Sequence, residues 1–209
     1  MNVNIVDLNA VDAQRLVTES LIESGFAVVK NHKIPVSELN ALYVDWDNFF
    51  CNGNPGQYVT DAESQAGYFS PLFAETAKGH EAQDLKEYFH YWPGGVLPGS
   101  VEKLTLRYYD AMFSLGKDVM VWLEANSPTT LWQSIDKPFE EYLSRNQTLL
   151  RILRYPPLTG NEPPDTIRAG AHEDINLITM LPAASESGLQ IKPKGFDNWI
   201  PVEAPPGSI

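Results

Sequence analysis

The sequence predicts an α+β protein, with a mainly helical region over residues 1–146 followed by antiparallel strands over residues 147–209. Between Val101 and about Asn126, apolar residues recur every three or four positions, which is the period of a helix that buries one face. After residue 147, short apolar runs alternate with turns that contain Pro or Gly, a pattern typical of antiparallel strands. No internal repeat or low-complexity linker interrupts the chain.

A strand, a helix and a second strand are predicted at the start of the chain. The run VNIVDL is short and β-branched, as in a strand. Apolar residues then recur with helical spacing from Val11 to Ser24, and Gly25 is expected to end that helix in a left-handed conformation. The run FAVVKNH indicates a second strand, and its β-branched residues suit a buried position.

A second helix and a long stretch of loops are expected before the helix that begins at Val101. Pro35 and Ser37 are expected to open the helix, which continues through Phe50, with Ser37 as its N-cap. Residues 51–100 contain Gly and Pro at short intervals, and these residues favour turns over regular elements.

The region from residue 147 onward is expected to form strands, after a short helical piece from Phe139 to Ser144. Proline cannot donate a backbone hydrogen bond, so a strand should end where two prolines occur together. Four apolar runs predict the strands: LLRILRYPPL, which ends on Pro156 and Pro157, then INLITML, GLQIKP and NWIPVEA. The runs are separated by a polar turn at 183–187 and by a turn that contains Gly195.

The composition argues against several classes of function. The formal net charge is −12 and the isoelectric point about 4.7, so the chain would repel phosphate backbones and anionic membranes. We therefore expect no nucleic-acid and no membrane partner. The single cysteine, Cys51, excludes an internal disulfide and a cysteine metal cluster. Because neither a signal-peptide pattern nor a long apolar run is present, a cytoplasmic protein is expected.

The pattern His172-x-Asp174 is a candidate metal-binding pair. Alternate residues of a strand face the same side, so the imidazole and the carboxylate would point together. With a further ligand from a distant strand, they would form the 2-His-1-carboxylate triad that is typical of non-haem Fe(II) oxygenases. The alternative is a surface histidine beside a turn-capping aspartate, and the spacing alone favours this alternative.

Further motifs occur on both sides of this pair in a fixed order. In sequence they are GFAVVKNHKIP from Gly25; Gly67-Tyr68-Phe69, Glu75, Lys78-Gly79 and DLKEYF from Asp84; Arg151 with Tyr155-Pro156-Pro157; and, after Asp174, Thr179, GLQI from Gly188, Trp199, Val202 and Pro206-Gly207-Ser208. Each piece is short, but the ordered set runs along nearly the whole chain. It resembles the isopenicillin N synthase-like family of Fe(II)/2-oxoglutarate-dependent oxygenases.

The resemblance implies a double-stranded β-helix, or jelly-roll, supported by the helical region, with the first part of that oxygenase core in residues 147–209. It implies an enzyme that uses Fe(II), 2-oxoglutarate and O₂ to oxidise a small organic molecule by hydroxylation, desaturation or ring closure, and that releases succinate and CO₂. Ascorbate is a candidate reductant. His172 and Asp174 would be iron ligands. Tyr155 and Arg151 would bind the cosubstrate, because a phenol and a cation suit its carboxylate.

Each of these residues also has a purely structural interpretation. Tyr155 could be a packed strand aromatic, and Arg151 could pair with a surface carboxylate. Arg168 is expected to be a charge at the rim of the site. His32 is expected to be a structural histidine at the N-terminal strand-to-loop corner. No role is assigned to the remaining histidines, His80 and His90.

The family pattern is incomplete in this sequence, because no histidine follows Asp174. Neither the second iron histidine nor the arginine and serine that clasp the far carboxylate of 2-oxoglutarate can be assigned. The jelly-roll is therefore expected to be incomplete at the C-terminus, and a half-built sheet would leave an open edge. A chain that is part of a longer protein is the favoured explanation. The competing explanation is a degenerate, non-catalytic jelly-roll binding module. For the function, the alternative is an iron oxidase of the same family that does not use 2-oxoglutarate. Substrate and oligomeric state stay open.

Overall fold

The computed structural model describes residues 3–59, 63–71, 84–162 and 166–209. The predicted mixture of helices and sheets is confirmed. The helices are α1 (Ala13–Ser24), α2 (Val36–Asn52) and α3 (Glu102–Asn126). The strands are β1 (Ile5–Asp7), β2 (Val28–Lys30), β3 (Gly67–Phe69), β4 (Glu87–Tyr91), β5 (Leu150–Arg154), β6 (Gln190–Ile191) and β7 (Ile200–Pro201). Single turns of 3₁₀-helix cover Pro55–Tyr58, Thr129–Leu131, Phe139–Tyr142 and Arg145–Gln147. In the ranges described, no helix is both long and apolar enough to cross a bilayer.

The chain divides into two compact units. The first unit contains Met1–Ala41, Arg107–Leu143 and Thr179–Ile209. The second unit contains Leu42–Leu106 and Ser144–Ile178. The division at residues 146 and 147 that the sequence suggested stays a prediction.

In the first unit, strand β2 lies between two hydrogen-bonding neighbours. On one side it pairs with β1 in parallel, with Val29 opposite Val6. On the other side, the Val29 N–H donates to the carbonyl of Ile209 at 2.7 Å, and the Ile209 N–H donates to the carbonyl of Val29 at 3.0 Å. Val28 and Val29 are each 5% exposed, so the backbone hydrogen bonds of β2 are shielded from water. The buried character predicted for this strand is confirmed.

Helix α1 ends where the sequence predicted. Gly25 has φ of 78° and its N–H donates to the carbonyl of Leu21 at 2.9 Å, which satisfies an orphan carbonyl of the last turn. The side chain of Thr18 is fully buried, and its Oγ1 donates to the carbonyl of Trp122 in α3 at 3.2 Å. This contact attaches α1 to the C-terminal half of α3.

The corner after β2 is closed by His32. Its Nε2 lies 2.6 Å from the carbonyl of Gly207, and its Nδ1 accepts the N–H of Ile34 at 3.3 Å. The accepting Nδ1 implies that the proton is on Nε2, which donates to Gly207. The contacts agree with the structural role expected for this histidine.

The second unit is built on an aromatic core. Phe89 in β4 is 0% exposed, and its ring centroid lies 5.1 Å from that of Trp46 and 6.0 Å from that of Phe49, both in α2. The indole N–H of Trp46 donates to Oγ1 of Thr105 at 2.9 Å, so the one polar group of this indole is satisfied inside the core. Tyr58 joins the same cluster, with its ring centroid 6.1 Å from that of Phe89 and 5.5 Å from that of Phe49.

Strands β3, β4 and β5 form an antiparallel sheet with β4 in the centre. All five residues of β4 are buried. In the register of β4 and β5, Glu87 lies opposite Arg154 and His90 lies opposite Arg151. Because side chains alternate between the faces of a sheet, these two pairs lie on opposite faces.

On the face of the sheet that contains Glu87, the charged side chains bind partners of opposite charge. Arg154 donates from Nη1 to Glu87 Oε1 at 2.6 Å and from Nε to Asp47 Oδ1 at 2.9 Å. Tyr68 donates its hydroxyl proton to Glu87 Oε2 at 2.6 Å. Burial and the neighbouring Glu87 carboxylate raise the pKa of the Tyr68 phenol well above its usual value, so the phenol stays a donor.

Two expectations about the elements are wrong, and β3 and β4 were not anticipated within the loop-rich residues 51–100. Ser37 is not an N-cap, because α2 begins at Val36 and the helical hydrogen bonds start from the carbonyl of Pro35. The run INLITML forms no strand: its apolar side chains include Ile175 and Leu177, which are 105% and 62% exposed, and it has no partner strand among the described residues. An apolar run becomes a strand only where a neighbour accepts its backbone hydrogen bonds.

Substituting Gly207 tests the packing of the segment that pairs with β2. Gly207 has φ of +76°, and a Cβ there would lie 2.5 Å from Cγ2 of Val36. We expect Gly207→Ala to lower the free energy of unfolding by about 2 to 4 kcal/mol, because a strained backbone is combined with overpacking. Urea denaturation measures the change.

Gly160 provides the matched control, since it has φ of +84° but open space around its Cβ position. Gly160→Ala should therefore lose only the backbone contribution, about 1 kcal/mol. Equal losses in the two variants would contradict the packing assigned to Gly207.

Candidate metal centre

The predicted metal pair lies in a loop rather than in a strand. Nε2 of His172 and Oδ1 of Asp174 are 3.5 Å apart, and the two side chains are 66% and 49% exposed. The side chains thus converge, although the strand that was expected to align them is not formed. Without a metal, the same distance would fit an ion pair between a protonated His172 and Asp174.

A hydrogen bond sets the orientation of the His172 ring. Its Nδ1 lies 2.8 Å from the carbonyl of Gly170, an atom that can only accept, so Nδ1 carries a proton. In the neutral ring the lone pair is then on Nε2, the atom nearest to Asp174. Histidines that bind metals usually donate from the other ring nitrogen in this way.

The donor atoms fit one divalent ion. When two donor atoms each lie about 2.1 Å from an ion and the donor–ion–donor angle is near 90–110°, the two donors are ~3.0 to 3.5 Å apart. One imidazole nitrogen and one carboxylate oxygen are also two of the donors that Fe(II) takes in a 2-His-1-carboxylate site. Within the described ranges, no cluster of three or more His, Cys, Asp or Glu side chains is arranged to hold a metal, so in this part of the chain the candidate donors are limited to the pair of His172 and Asp174.

Two contacts attach the residues before His172 to the start of β4. The N–H of Leu85 donates to the carbonyl of Ile167 at 2.9 Å, and the N–H of Gly170 donates to Oδ1 of Asp84 at 3.1 Å. The other oxygen of Asp84 lies 2.9 Å from Nζ of Lys86, and both side chains are 5% exposed. The metal pair therefore follows a segment that is fixed by a buried ion pair.

Arg151 lies on β5, on the face opposite to Arg154. Its Nε donates to Nε2 of His90 at 2.8 Å, and its guanidinium lies over the ring of Tyr88, 5.2 Å from the centroid. Nδ1 of His90 lies 3.0 Å from the carbonyl of Gln65, to which it donates. His90 is therefore a neutral ring that presents a lone pair to Arg151. The sequence had assigned His90 no role.

Tyr155 follows β5 directly and is 39% exposed. Burial raises the pKa of its phenol above the usual value, while the positive charges of Lys86, Arg151 and Arg168 act in the opposite direction. The phenol is consequently protonated at neutral pH and can donate a hydrogen bond. These three cations are near enough for their charges to act on the same hydroxyl.

Asp84, Lys86 and His90 are the functional candidates that sequence reasoning missed. A signal for the first two was present, because Asp84 and Lys86 are two residues apart next to the apolar stretch of β4. For His90 the signal was weak, since its partner Arg151 is 61 positions away. His80, Glu75 and Lys78-Gly79, which the sequence analysis also named, lie outside the described residues.

Several solved structures and curated proteins that are similar to this chain are described as oxygenases. A protein of Shewanella oneidensis described as an oxygenase is 39% identical, with a TM-score of 0.88, over 100% of this chain and 75% of that one. The chain belongs to the 2-oxoglutarate–Fe(II) oxygenases. A protein of the 2OG-Fe(II) oxygenase family from Caulobacter crescentus is 26% identical, with a TM-score of 0.78, over 99% of this chain and 72% of that one. The family suggested by the sequence is thereby confirmed.

A curated relative of this oxygenase is a 2-oxoglutarate-Fe(II) type oxidoreductase of Aspergillus fumigatus. It is 31% identical over 119 residues, which are 56% of this chain and 34% of that protein. The match thus spans about a third of the length of that relative. No family model matches the chain.

The contact between His90 and Arg151 can be measured with a double-mutant cycle. We expect a coupling energy of about 1 to 2 kcal/mol between His90→Ala and Arg151→Ala, because the acceptor is buried and the donor is charged. Urea denaturation of the four proteins gives this value.

The control cycle uses Arg15 and Glu19, an exposed i,i+4 pair at 2.7 Å with both side chains 50% exposed. It should show no measurable coupling. A His90–Arg151 coupling as small as that of the control would contradict the pairing described above.

Proposed function

We propose that the protein carrying this chain is an Fe(II)- and 2-oxoglutarate-dependent oxygenase that oxidises a small organic molecule with O₂. The observation that carries the proposal is the convergence of His172 Nε2 and Asp174 Oδ1, 3.5 Å apart, in a chain of this family. The oxidation is a hydroxylation, desaturation or ring closure, with release of succinate and CO₂.

His172 and Asp174 are proposed as two iron ligands. The hydrogen bond from Nδ1 to Gly170 leaves the Nε2 lone pair for the metal, and the half-exposed carboxylate of Asp174 brings a compensating negative charge. The third ligand of the triad lies outside the residues described. Bound iron and 2-oxoglutarate together supply the oxidising chemistry, and the protein orients the reactants.

Arg151 and Tyr155 are proposed to bind the cosubstrate. A guanidinium attracts a carboxylate, and a phenol that keeps its proton donates to it. His90 and Tyr88 support this role, because they hold Arg151 by its Nε and by the face of its guanidinium. Arg168 adds positive charge near Tyr155, which favours an anion at this place in an otherwise acidic chain, whereas the charge of Lys86 is offset by its ion pair with Asp84.

A jelly-roll is the proposed arrangement of the β-strands that follow residue 147. The antiparallel pair β6–β7 agrees with such a fold, and β5 is also antiparallel to its partner β4, which precedes residue 147. Residues 147–209 would then be the first part of the oxygenase core, as the sequence analysis expected.

The proposal is tested by measuring succinate formed from 2-oxoglutarate in the presence of Fe(II), ascorbate and O₂. We expect iron-dependent turnover, and a loss of more than about 100-fold in His172→Ala and in Asp174→Ala. The loss of a ligand should exceed the roughly 10- to 100-fold cost of losing a partner behind a ligand.

Glu173→Ala is the matched control, since it changes an exposed carboxylate between the two ligands. It should keep most of the turnover. If the protein forms no succinate, the proposed function is wrong. Iron-dependent consumption of O₂ without 2-oxoglutarate would instead support an iron oxidase of the same family. Full activity in both ligand variants would contradict the roles of His172 and Asp174.

A further inference from the structure

Asp84 and Lys86 form an ion pair that is buried almost completely. Their side chains are each 5% exposed, and Nζ lies 2.9 Å from Oδ2. Removing two charges from water costs several kcal/mol for each ion, and attraction alone rarely offsets that cost. A pair of this kind is retained at little cost only where its remaining oxygens and protons find further partners.

The second oxygen of Asp84 has such a partner in the loop that leads to His172. Oδ1 accepts the N–H of Gly170 at 3.1 Å, a buried contact between residues 86 positions apart. The same residue, Gly170, presents its carbonyl to Nδ1 of His172 at 2.8 Å. Asp84, Gly170 and His172 are thus linked in a line of two hydrogen bonds.

Gly170 needs this support because His172 cannot be fixed by its own packing. Two-thirds of the His172 side chain is exposed, so few neighbouring atoms restrict the rotation of its ring. The hydrogen bond to Gly170 is therefore the contact that selects both the ring orientation and the tautomer. That bond can do so only if the Gly170 backbone is itself held in place.

We propose that Asp84 is a positioning residue for His172. Its carboxylate, paired with Lys86 in the interior, fixes Gly170 so that the Gly170 carbonyl holds the proton on Nδ1 and directs Nε2 toward Asp174. The assignment of His172 as an iron ligand rests on the proposed function, whereas the orientation of its ring does not.

Lys86 has a distinct part in this arrangement. Without its ammonium, the buried carboxylate of Asp84 would lose its ion-pair partner and face an uncompensated desolvation cost. It would then no longer be held where Oδ1 accepts the Gly170 N–H. The contact between Leu85 and Ile167, 2.9 Å long, keeps the two segments side by side but does not reach the ring.

The tautomer of His172 in the metal-free protein is the first test, read from ¹⁵N NMR of the imidazole at a pH where the ring is neutral. We expect a protonated Nδ1 and an unprotonated Nε2 in the wild type. In Asp84→Ala we expect a mixture of tautomers and faster hydrogen exchange of the Gly170 amide. A wild-type ring with the proton on Nε2 would overturn the proposal without any variant.

Affinity for Fe(II), measured by anaerobic calorimetry, is the second test. We expect Asp84→Ala to weaken binding roughly 10- to 100-fold, the effect of removing a partner behind a ligand. Asp84→Asn retains an oxygen for the Gly170 N–H, so its loss should be smaller. That conservative variant also keeps the test decisive if Asp84→Ala does not fold.

Thr105→Ala is the control for a merely structural effect. It removes a fully buried hydroxyl that accepts the Trp46 indole proton, in the same unit but far along the chain from Asp84. It should lower stability without changing the His172 tautomer or the Fe(II) affinity. An equal loss of affinity in Thr105→Ala and Asp84→Ala would assign Asp84 a structural role only.

Failure of the proposed function and failure of the positioning role of Asp84 give different experimental results. If the wild type binds no Fe(II) but its His172 tautomer depends on Asp84, the proposed function is wrong and the positioning role stands. If the wild type binds Fe(II) and Asp84→Ala changes neither tautomer nor affinity, the positioning role is wrong and the function stands.

Discussion

The organisation of the second unit depends on the complete burial of strand β4. The strand is hydrogen-bonded on both sides, by β3 and by β5, and all five of its residues are buried. It nevertheless contains Glu87 and His90, so each must be satisfied inside the protein. Strand β5 supplies an arginine opposite each of them. The hydrogen bonds between these cross-strand pairs offset the free-energy cost of burying the two polar side chains.

The same constraint distributes tasks between the two faces of the sheet. On one face, Phe89 enters the aromatic core with Trp46, and Glu87 binds Arg154. On the other face, His90 holds Arg151, which is proposed to meet the cosubstrate. The ion pair of Asp84 and Lys86 lies just before the strand and reaches the loop of His172. A single buried strand thus connects the stability of the unit to the geometry proposed for catalysis.

Local signals made much of the fold predictable. The helices were found because apolar periodicity and the Gly25 stop are properties of neighbouring residues. Strand β4 was missed because a strand buried on both faces lacks alternation, and its polar residues find partners more than sixty positions away. The pair His172 and Asp174 was found from spacing and family motifs, yet the strand expected to align it is absent. The carbonyl of Gly170 orients the ring instead. The N–H of Gly170 donates to Asp84, which is 86 positions earlier in the sequence.

The hydrogen bonds between Val29 and Ile209 have a consequence for biosynthesis. The nearby contact of His32 with Gly207 joins residues 175 positions apart, so this side of β2 is completed late. At about 5 to 20 residues per second, translation of the intervening chain takes roughly 10 to 35 s. During that interval the apolar strand has an open edge on the nascent chain, a state that is prone to aggregation. We therefore expect aggregation of the nascent chain to fall when a chaperone covers this edge until Gly207 and Ile209 have been synthesised.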